Sequence, residues 1–109
     1  MSPLELTDAN WADTVLASAL PVLVDVWAPW CIPCKKVAPL VEDVADRYAG
    51  SLTVGKLNAD DAPVTVARYE ILSLPTLLVF ADGEVAARIV GTPKMDRLLA
   101  VLEPHLTER

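Results

Sequence analysis

The two cysteines of the chain, Cys31 and Cys34, are separated by two residues and lie where an apolar stretch gives way to a helical pattern. Residues three apart on a helical turn are neighbours, with Cα atoms about 5–6 Å apart, a distance that a disulfide bond tolerates. The free N–H groups at the start of a helix lower the pKa of a cysteine there, which then reacts as a thiolate. The spacing therefore predicts a disulfide that opens and closes. We expect Cys31 to be the more exposed cysteine and the nucleophile, and Cys34 to resolve the mixed disulfide.

The same pair of cysteines is also compatible with a structural disulfide or with half of a zinc site. A bond between residues 31 and 34 closes a very small loop, where restraint of the unfolded chain stabilises a fold least. A structural zinc ion needs four ligands, and the single histidine, His105, has no further cysteine to join it. We therefore favour a redox pair and expect no metal.

A buried strand and an amphipathic helix are predicted to position the cysteines. Residues 22–27 are apolar almost throughout, which is typical of a strand covered on both faces. From Cys34 to about Tyr48 apolar residues recur at helical spacing, and Pro33 falls in the first turn, where proline is tolerated. A second apolar stretch, 52–57, completes a strand–helix–strand unit, which implies parallel strands and a right-handed crossover.

Short polar residues in front of the other helical patterns predict where those helices begin. Such side chains are favoured at the N-cap, where they accept hydrogen bonds from free N–H groups. Thr7 or Asp8 is placed to cap a first helix, Asp61 a short helix after the second strand, and Thr92 the last helix.

The strands near the end of the chain are predicted to form a hairpin. Residues 77–81 and 85–90 flank Asp82-Gly83, a strong two-residue turn signal, so these strands are expected to be antiparallel. Together with the parallel unit they predict an α/β fold, with a central mixed sheet of four or five strands and helices on both faces.

The residues around the cysteines resemble the active site of the thioredoxin family. The mark of the family is Trp-Cys-x-Pro-Cys-Lys after a buried strand, and residues 30–35 supply it as Trp-Cys-Ile-Pro-Cys-Lys. The match extends over essentially the whole chain, at Asp25, Trp27, Pro39, Lys56, Leu74-Pro75-Thr76, Gly83 and Gly91. The resemblance implies the thioredoxin fold, with a single domain over residues 1–109.

Asp25 is the one charged residue in a strand that is otherwise apolar. A buried carboxylate without a partner is costly, so its pKa is expected to rise, whereas at a sheet edge the same side chain would reach solvent. The resemblance implies that Asp25 accepts and donates the proton of Cys34, directly or through water. Lys56, at its family position, either pairs with Asp25 or extends to the surface.

The resemblance also implies a docking surface for substrate proteins around Cys31. It implies a cis peptide bond before Pro75, facing the cysteines, with the Leu74 backbone turned outward to pair with an extended substrate strand. Trp27 is expected to pack against the active-site loop. The implied substrate-binding residues are Trp30, Ile32, Pro33, Leu74, Pro75 and Gly91.

Ile32 departs from the family pattern, which commonly has Gly-Pro between the cysteines. The intervening pair affects the reduction potential within the family, so a typical potential does not transfer to this chain. The fold and the reaction type that the resemblance implies are unaffected.

Length, composition and charge argue against several other classes of function. The chain has 109 residues, of which 53% are apolar, and a net charge of −6. The negative charge argues against a nucleic-acid partner, which needs a basic face. There is no run of about 20 apolar residues for a membrane span and no visible secretory signal. We therefore expect a cytoplasmic protein, and we expect it to be a monomer.

These expectations describe an oxidoreductase that reduces disulfides in target proteins through reversible oxidation of Cys31 and Cys34, with no bound cofactor. The resemblance implies that a thioredoxin reductase, usually fed by NADPH, supplies the electrons. Two alternatives stay open: an interaction module with dispensable cysteines, and an oxidant that forms disulfides. Asp25, Lys35 and Pro75 together favour catalysis over the first. Relatives that oxidise often carry a histidine between the cysteines, which this chain does not.

Overall fold

The computed structural model describes residues 2–106 and contains the predicted strand–helix–strand unit around the cysteines. Within this range the strands are β1 (Leu4–Leu6), β2 (Val22–Trp27), β3 (Thr53–Asn58), β4 (Thr76–Ala81) and β5 (Glu84–Val90). The α-helices are α1 (Ile32–Arg47), α2 (Pro63–Arg68) and α3 (Met95–Leu106), with a π-helix at Ala12–Leu16 and a 3-10 helix at Ala59–Asp61. Over the same residues, no helix has both the length and the apolar character needed to cross a membrane.

The strands of the described range form one mixed sheet in the order β1-β3-β2-β4-β5. β3 pairs in parallel with both β1 and β2, whereas β4 is antiparallel to both β2 and β5. β2 therefore lies in the middle of the sheet. The loop that carries Cys31 leaves the carboxyl end of this central strand, so neighbouring strands flank the site on both sides.

Helices cover both faces of the sheet, as predicted. On one face α1 and α3 pack against the strands, with these residues among the buried ones: Leu23, Val37, Val41, Leu77, Leu98 and Leu102. On the other face the π-helix and α2 cover a second cluster, which includes Trp11, Val15, Val24, Leu78 and Phe80. Because side chains alternate along a strand, Asp25 lies on the same face as Leu23, beneath α1.

A tight turn joins β4 to β5 and confirms the predicted hairpin. The φ angles of Asp82 and Gly83 are 54° and 82°, so both central residues adopt left-handed backbone. This is the conformation that two-residue hairpin turns favour, and it explains the preference for Asp-Gly there.

The first helix differs from the prediction in type and in its cap. It is a π-helix of five residues. The N–H of Thr7 donates to Oδ1 of Asn10 at 2.7 Å, and the N–H of Asn10 donates to Oγ1 of Thr7 at 3.1 Å. Thr7 therefore orders the turn before this helix, but the N-cap residue is Trp11, which has no side-chain cap, so the prediction that Thr7 or Asp8 caps this helix is wrong.

Asp8 instead caps α2, more than fifty residues further along the chain. Its carboxylate accepts hydrogen bonds from the N–H groups of Val64 (3.2 Å) and Thr65 (2.9 Å) and from the Thr65 hydroxyl (2.6 Å). The hydroxyl of Thr65 has the largest effect on the pKa of Asp8 and holds it below its usual range. Burial, which opposes this, comes second, and the N–H groups of Thr65 and Val64 lower the pKa further. Asp61, the predicted cap of α2, accepts from the Asn58 amide instead, and the N-cap residue is Ala62.

Candidate active site

Cys31 and Cys34 are linked by a disulfide bond at the start of α1, with Cα atoms 5.4 Å apart. A turn closed by a 3.1 Å hydrogen bond from the N–H of Cys31 to the carbonyl of Ala28 brings the chain from β2 into the helix. Cys31 is the N-cap residue, and its Sγ accepts a hydrogen bond of 3.2 Å from the N–H of Cys34. The predicted pairing and its place at a helix start are confirmed.

The two cysteines are equally buried, so the prediction that Cys31 is the more exposed is wrong. Each has a relative exposure of 4%. The physical reason is local packing: Ala28 lies with both cysteines in one buried cluster, and Trp27 and Leu74 pack against it. Exposure therefore does not distinguish the nucleophile, and the difference lies in the position of each sulfur relative to the helix.

The predicted docking residues come together around this cluster. The side chains of Trp30 and Ile32 are 66% and 68% exposed, Pro33 is exposed, and Leu74 and Gly91 are half-buried. Pro75 is buried, and the Leu74–Pro75 peptide bond is cis, as the resemblance implied.

Two contacts join the loops that carry these residues. The N–H of Gly91 donates to the carbonyl of Pro75 at 2.9 Å, which connects the end of β5 to the start of β4. Thr92 was predicted to cap the last helix, but α3 begins only at Met95. The Thr92 hydroxyl instead donates to the carbonyl of Pro33 in a long contact of 3.5 Å.

Asp25 is fully buried in the central strand beneath the cysteines. Within residues 2–106 neither of its carboxylate oxygens has a hydrogen-bond partner. Loss of hydration raises its pKa to about 6, against the opposing charge of Lys56. A cavity of about 120 Å³ is lined by both Asp25 and Cys34. Burial of Asp25 is thus confirmed, and a solvent-exposed position at a sheet edge is excluded.

Lys56 makes no hydrogen bond to Asp25 within the described residues, although its charge lowers the pKa of that carboxyl group. It is the Cα partner of Asp25 across β2 and β3 and is half-buried. Its Nζ lies 4.9 Å from the centroid of the Trp27 ring, in a cation–π contact. Trp27 therefore packs near the site, as expected, and it also holds the lysine.

Asp60 belongs to the site and was not predicted. Its carboxylate accepts hydrogen bonds of 3.1 and 3.2 Å from Nε1 of Trp30, which fixes the exposed indole beside the cysteines. Asp60 follows β3, and β3 is parallel to β2, so both carboxyl ends meet at the same edge of the sheet. The predicted parallel pairing of these two strands could therefore have indicated that Asp60 lies near the cysteines.

The arrangement suits thiol–disulfide exchange. The site holds a disulfide at a helix start, a buried carboxylate beside the inner cysteine, and an apolar rim open to solvent. Among residues 2–106, no group of three or more His, Cys, Asp or Glu side chains could hold a metal ion.

Comparison with known proteins gives consistent matches over nearly the whole chain. The thioredoxin family model matches residues 2–104. A thioredoxin of Mycobacterium tuberculosis is 48% identical over 99 residues, which cover 91% of this chain and 85% of that protein. A thioredoxin of Synechocystis sp. is 44% identical over 102 residues, 94% of this chain and 95% of that protein. An M-type chloroplastic thioredoxin of Spinacia oleracea is 42% identical over 103 residues, 94% of this chain and 57% of that protein.

Proposed function

Because the chain belongs to the thioredoxin family, we propose that it carries electrons in the cytoplasm from a thioredoxin reductase to disulfide-containing target proteins. The activity itself is that of the family: the chain is a dithiol–disulfide oxidoreductase that reduces protein disulfides through Cys31 and Cys34. The redox-active disulfide between these residues is the observation that carries the proposal.

The reduction of a target proceeds in two exchange steps. The thiolate of Cys31 attacks one sulfur of the target disulfide, which forms a mixed disulfide and releases the first target thiolate. Cys34 then loses its proton and attacks Sγ of Cys31, which forms the intramolecular disulfide and releases the second target thiolate. Two electrons have passed to the target, and the reductase must return two electrons before the next cycle.

We assign the first attack to Cys31 because of its place at the helix start. The N–H of Cys34 points at Sγ of Cys31 and would stabilise negative charge there, together with the dipole of α1. Cys34 lies inside the first turn and receives no such hydrogen bond from the helix start.

Asp25 is proposed to exchange the proton that Cys34 must lose. The carboxylate lines the same cavity as Cys34, and its raised pKa of about 6 allows it both to take up and to release a proton near neutral pH. A cavity of about 120 Å³ is also large enough to admit water between the two groups.

The exposed rim of Trp30, Ile32 and Pro33, with Leu74, Pro75 and Gly91 beside it, is proposed to dock target proteins. Apolar contact there imposes little sequence preference, whereas the backbone of Leu74 offers hydrogen bonds to an extended target segment. The chain is further proposed to form one domain and to work as a monomer. Gel filtration of the purified protein tests whether it is a monomer.

The reductase-coupled assay tests this function. Wild-type protein with NADPH, a thioredoxin reductase and insulin should consume NADPH and reduce the insulin disulfides, and the Cys31→Ser/Cys34→Ser variant should do neither. If the wild type reduced insulin with a chemical dithiol but accepted no electrons from any thioredoxin reductase, the proposed electron source would be wrong. Fractionation of cells that contain the full chain tests the proposed location.

A further inference from the structure

Lys56 has a carboxylate on each side in the sheet, yet its ammonium contacts an aromatic ring. Its Cα pairs with that of Glu5 on β1 and with that of Asp25 on β2. Within residues 2–106, both oxygens of Asp25 lack a hydrogen-bond partner, while Nζ of Lys56 lies 4.9 Å from the centroid of the Trp27 ring. The fold thus places a cation beside a buried carboxylate without joining them.

The position of Trp27 explains this separation. Residues 25 and 27 of β2 lie on the same face of the sheet, so the indole stands one step beyond Asp25 towards the cysteines. A lysine on the neighbouring strand reaches either side chain. A cation–π contact that is partly shielded from water is strong enough to select one of two such positions.

Two cavities meet at this contact. The cavity of about 120 Å³ beside Asp25 and Cys34 is bounded by Trp27 and Lys56. The same two side chains line a second cavity of about 180 Å³ on the β1 side, next to Glu5. The side chains of Trp27 and Lys56 therefore separate the two cavities. Movement of the Lys56 ammonium towards Asp25 would fill the space beside Cys34.

We propose that Trp27 is a positioning residue, whose ring holds the Lys56 ammonium away from Asp25 so that the carboxylate stays unpaired beside Cys34. This inference rests on the proposed role of Asp25 as the proton partner of Cys34. A carboxylate bound to lysine is held in its ionised form, and it then takes up a proton less readily when Cys34 must release one. The Trp27 ring thus affects the pKa of Asp25 indirectly, through the position of the Lys56 ammonium.

Titration of Asp25 in the oxidised protein tests the proposal. In this form neither cysteine titrates, and the other titratable groups around the cavities are Lys35, Lys56 and Glu5. The ¹³C shift of the Asp25 carboxyl carbon is followed against pH in four proteins: wild type, Trp27→Leu, Lys56→Met and the double variant. Trp27→Leu should lower the proton affinity of Asp25 roughly threefold to tenfold, because the freed ammonium approaches the carboxylate.

The double variant separates positioning from a general effect of the lost ring. Without the lysine there is no cation to release, so Trp27→Leu should leave the Asp25 titration of the Lys56→Met protein unchanged. Trp27→Tyr, which keeps an aromatic face, should titrate close to the wild type. An unchanged midpoint in Trp27→Leu, or an equal shift with and without the lysine, would overturn the proposal.

The wild type alone provides a second test, which holds even if Trp27→Leu does not fold. Protons on the carbon next to Nζ of Lys56 should be shifted upfield by the ring current of Trp27. Unshifted protons would show that the ammonium does not lie over the ring. Because these measurements use no substrate, their outcome is independent of whether Asp25→Asn slows turnover, so a failure of this proposal can be told apart from a failure of the proposed role of Asp25.

Discussion

The N–H of Cys34 donates a hydrogen bond of 3.2 Å to Sγ of Cys31, so the first cysteine caps the helix that carries the second. The two side chains are equally buried, and this hydrogen bond is what makes their sulfurs different. In the reduced protein it favours negative charge on Cys31, where it acts together with the dipole of α1. The geometry therefore assigns unlike roles to two residues of the same type and exposure.

Asp25→Asn should stabilise the oxidised protein at alkaline pH and have little effect in acid. Burial raises the pKa of Asp25 to about 6, so the folded protein holds a proton between about pH 4 and pH 6 that the unfolded chain has lost. Wild-type stability therefore falls as pH rises through this window. At about pH 8 the variant should have the larger free energy of unfolding, by up to about 3 kcal/mol.

Urea unfolding of wild type and Asp25→Asn near pH 4 and near pH 8 measures this difference. Asp13→Asn, which removes an exposed carboxylate on the opposite face of the sheet, is the matched control and should show no such pH dependence. A stability difference between Asp25→Asn and wild type that is the same at both pH values would show that burial does not raise the pKa of Asp25.

The same substitution should slow the second exchange step and spare the first. Asp25→Asn removes the proton acceptor of Cys34, so formation of the mixed disulfide should proceed at the wild-type rate. Its resolution should slow by about tenfold or more. Rapid acid quench of a single turnover with insulin, followed by mass spectrometry, resolves both steps. Wild-type resolution in the variant between about pH 6 and pH 8 would rule out the catalytic role of Asp25.

Ile32→Gly should make the protein a weaker reductant. Glycine leaves the open dithiol loop freer, so closure of the disulfide costs more conformational entropy. Shielding of the Cys31 thiolate by the isoleucine should add little to this effect, because the side chain is 68% exposed. The difference should therefore be about 1 kcal/mol or less, equivalent to about 20 mV for two electrons.

Equilibration against a dithiol buffer of known potential measures this difference. Ile32→Ala is the matched control, since it removes the side chain but keeps most of the backbone restriction, and it should lie nearer the wild type. If the glycine variant were more reducing than the wild type, loop entropy would not be the effect that determines the direction of the difference in reduction potential.

Asp8→Ala should loosen the start of α2. The carboxylate accepts three hydrogen bonds from Val64 and Thr65, which would lose their acceptor. Because these bonds lower the pKa of Asp8, their contribution is present above the ordinary value of 3.8 and is lost as pH falls through the lowered one.

Amide hydrogen exchange at Val64 and Thr65 reports this change directly. Exchange near neutral pH should be faster in Asp8→Ala and intermediate in Asp8→Asn, which keeps one acceptor oxygen. Equal exchange in all three proteins would show that Asp8 does not hold the helix start.

The elements around the cysteines were predictable because their signals are local. The run at 22–27, apolar except for Asp25, coincides with β2, and the helical spacing after Cys34 predicted α1 to within a residue or two. The Asp-Gly pair marked the β4–β5 hairpin for the same reason. The chemistry of the pair also followed from spacing, since the distance between the cysteines is a property of one helical turn.

Features that depend on contacts between distant parts of the chain were not predictable. Asp8 lies next to a polar sequence that it could cap, but the fold offers it the start of α2. The burial of Cys31 depends on Leu74, from a loop more than forty residues away. Lys56 contacts Trp27 on the adjacent strand, and no local pattern indicates which of its neighbours it selects.

The most direct measurement of the central claim is the capture of mixed disulfides by single-cysteine variants. Cys34→Ser and Cys31→Ser are each reduced, incubated with insulin whose disulfide bonds are intact, and quenched with acid. The covalent adducts are then quantified by mass spectrometry. The account predicts adducts at Cys31 in Cys34→Ser and little or no adduct in Cys31→Ser, because only Cys31 is activated at the helix start. Stable adducts in Cys31→Ser with none in Cys34→Ser would contradict it.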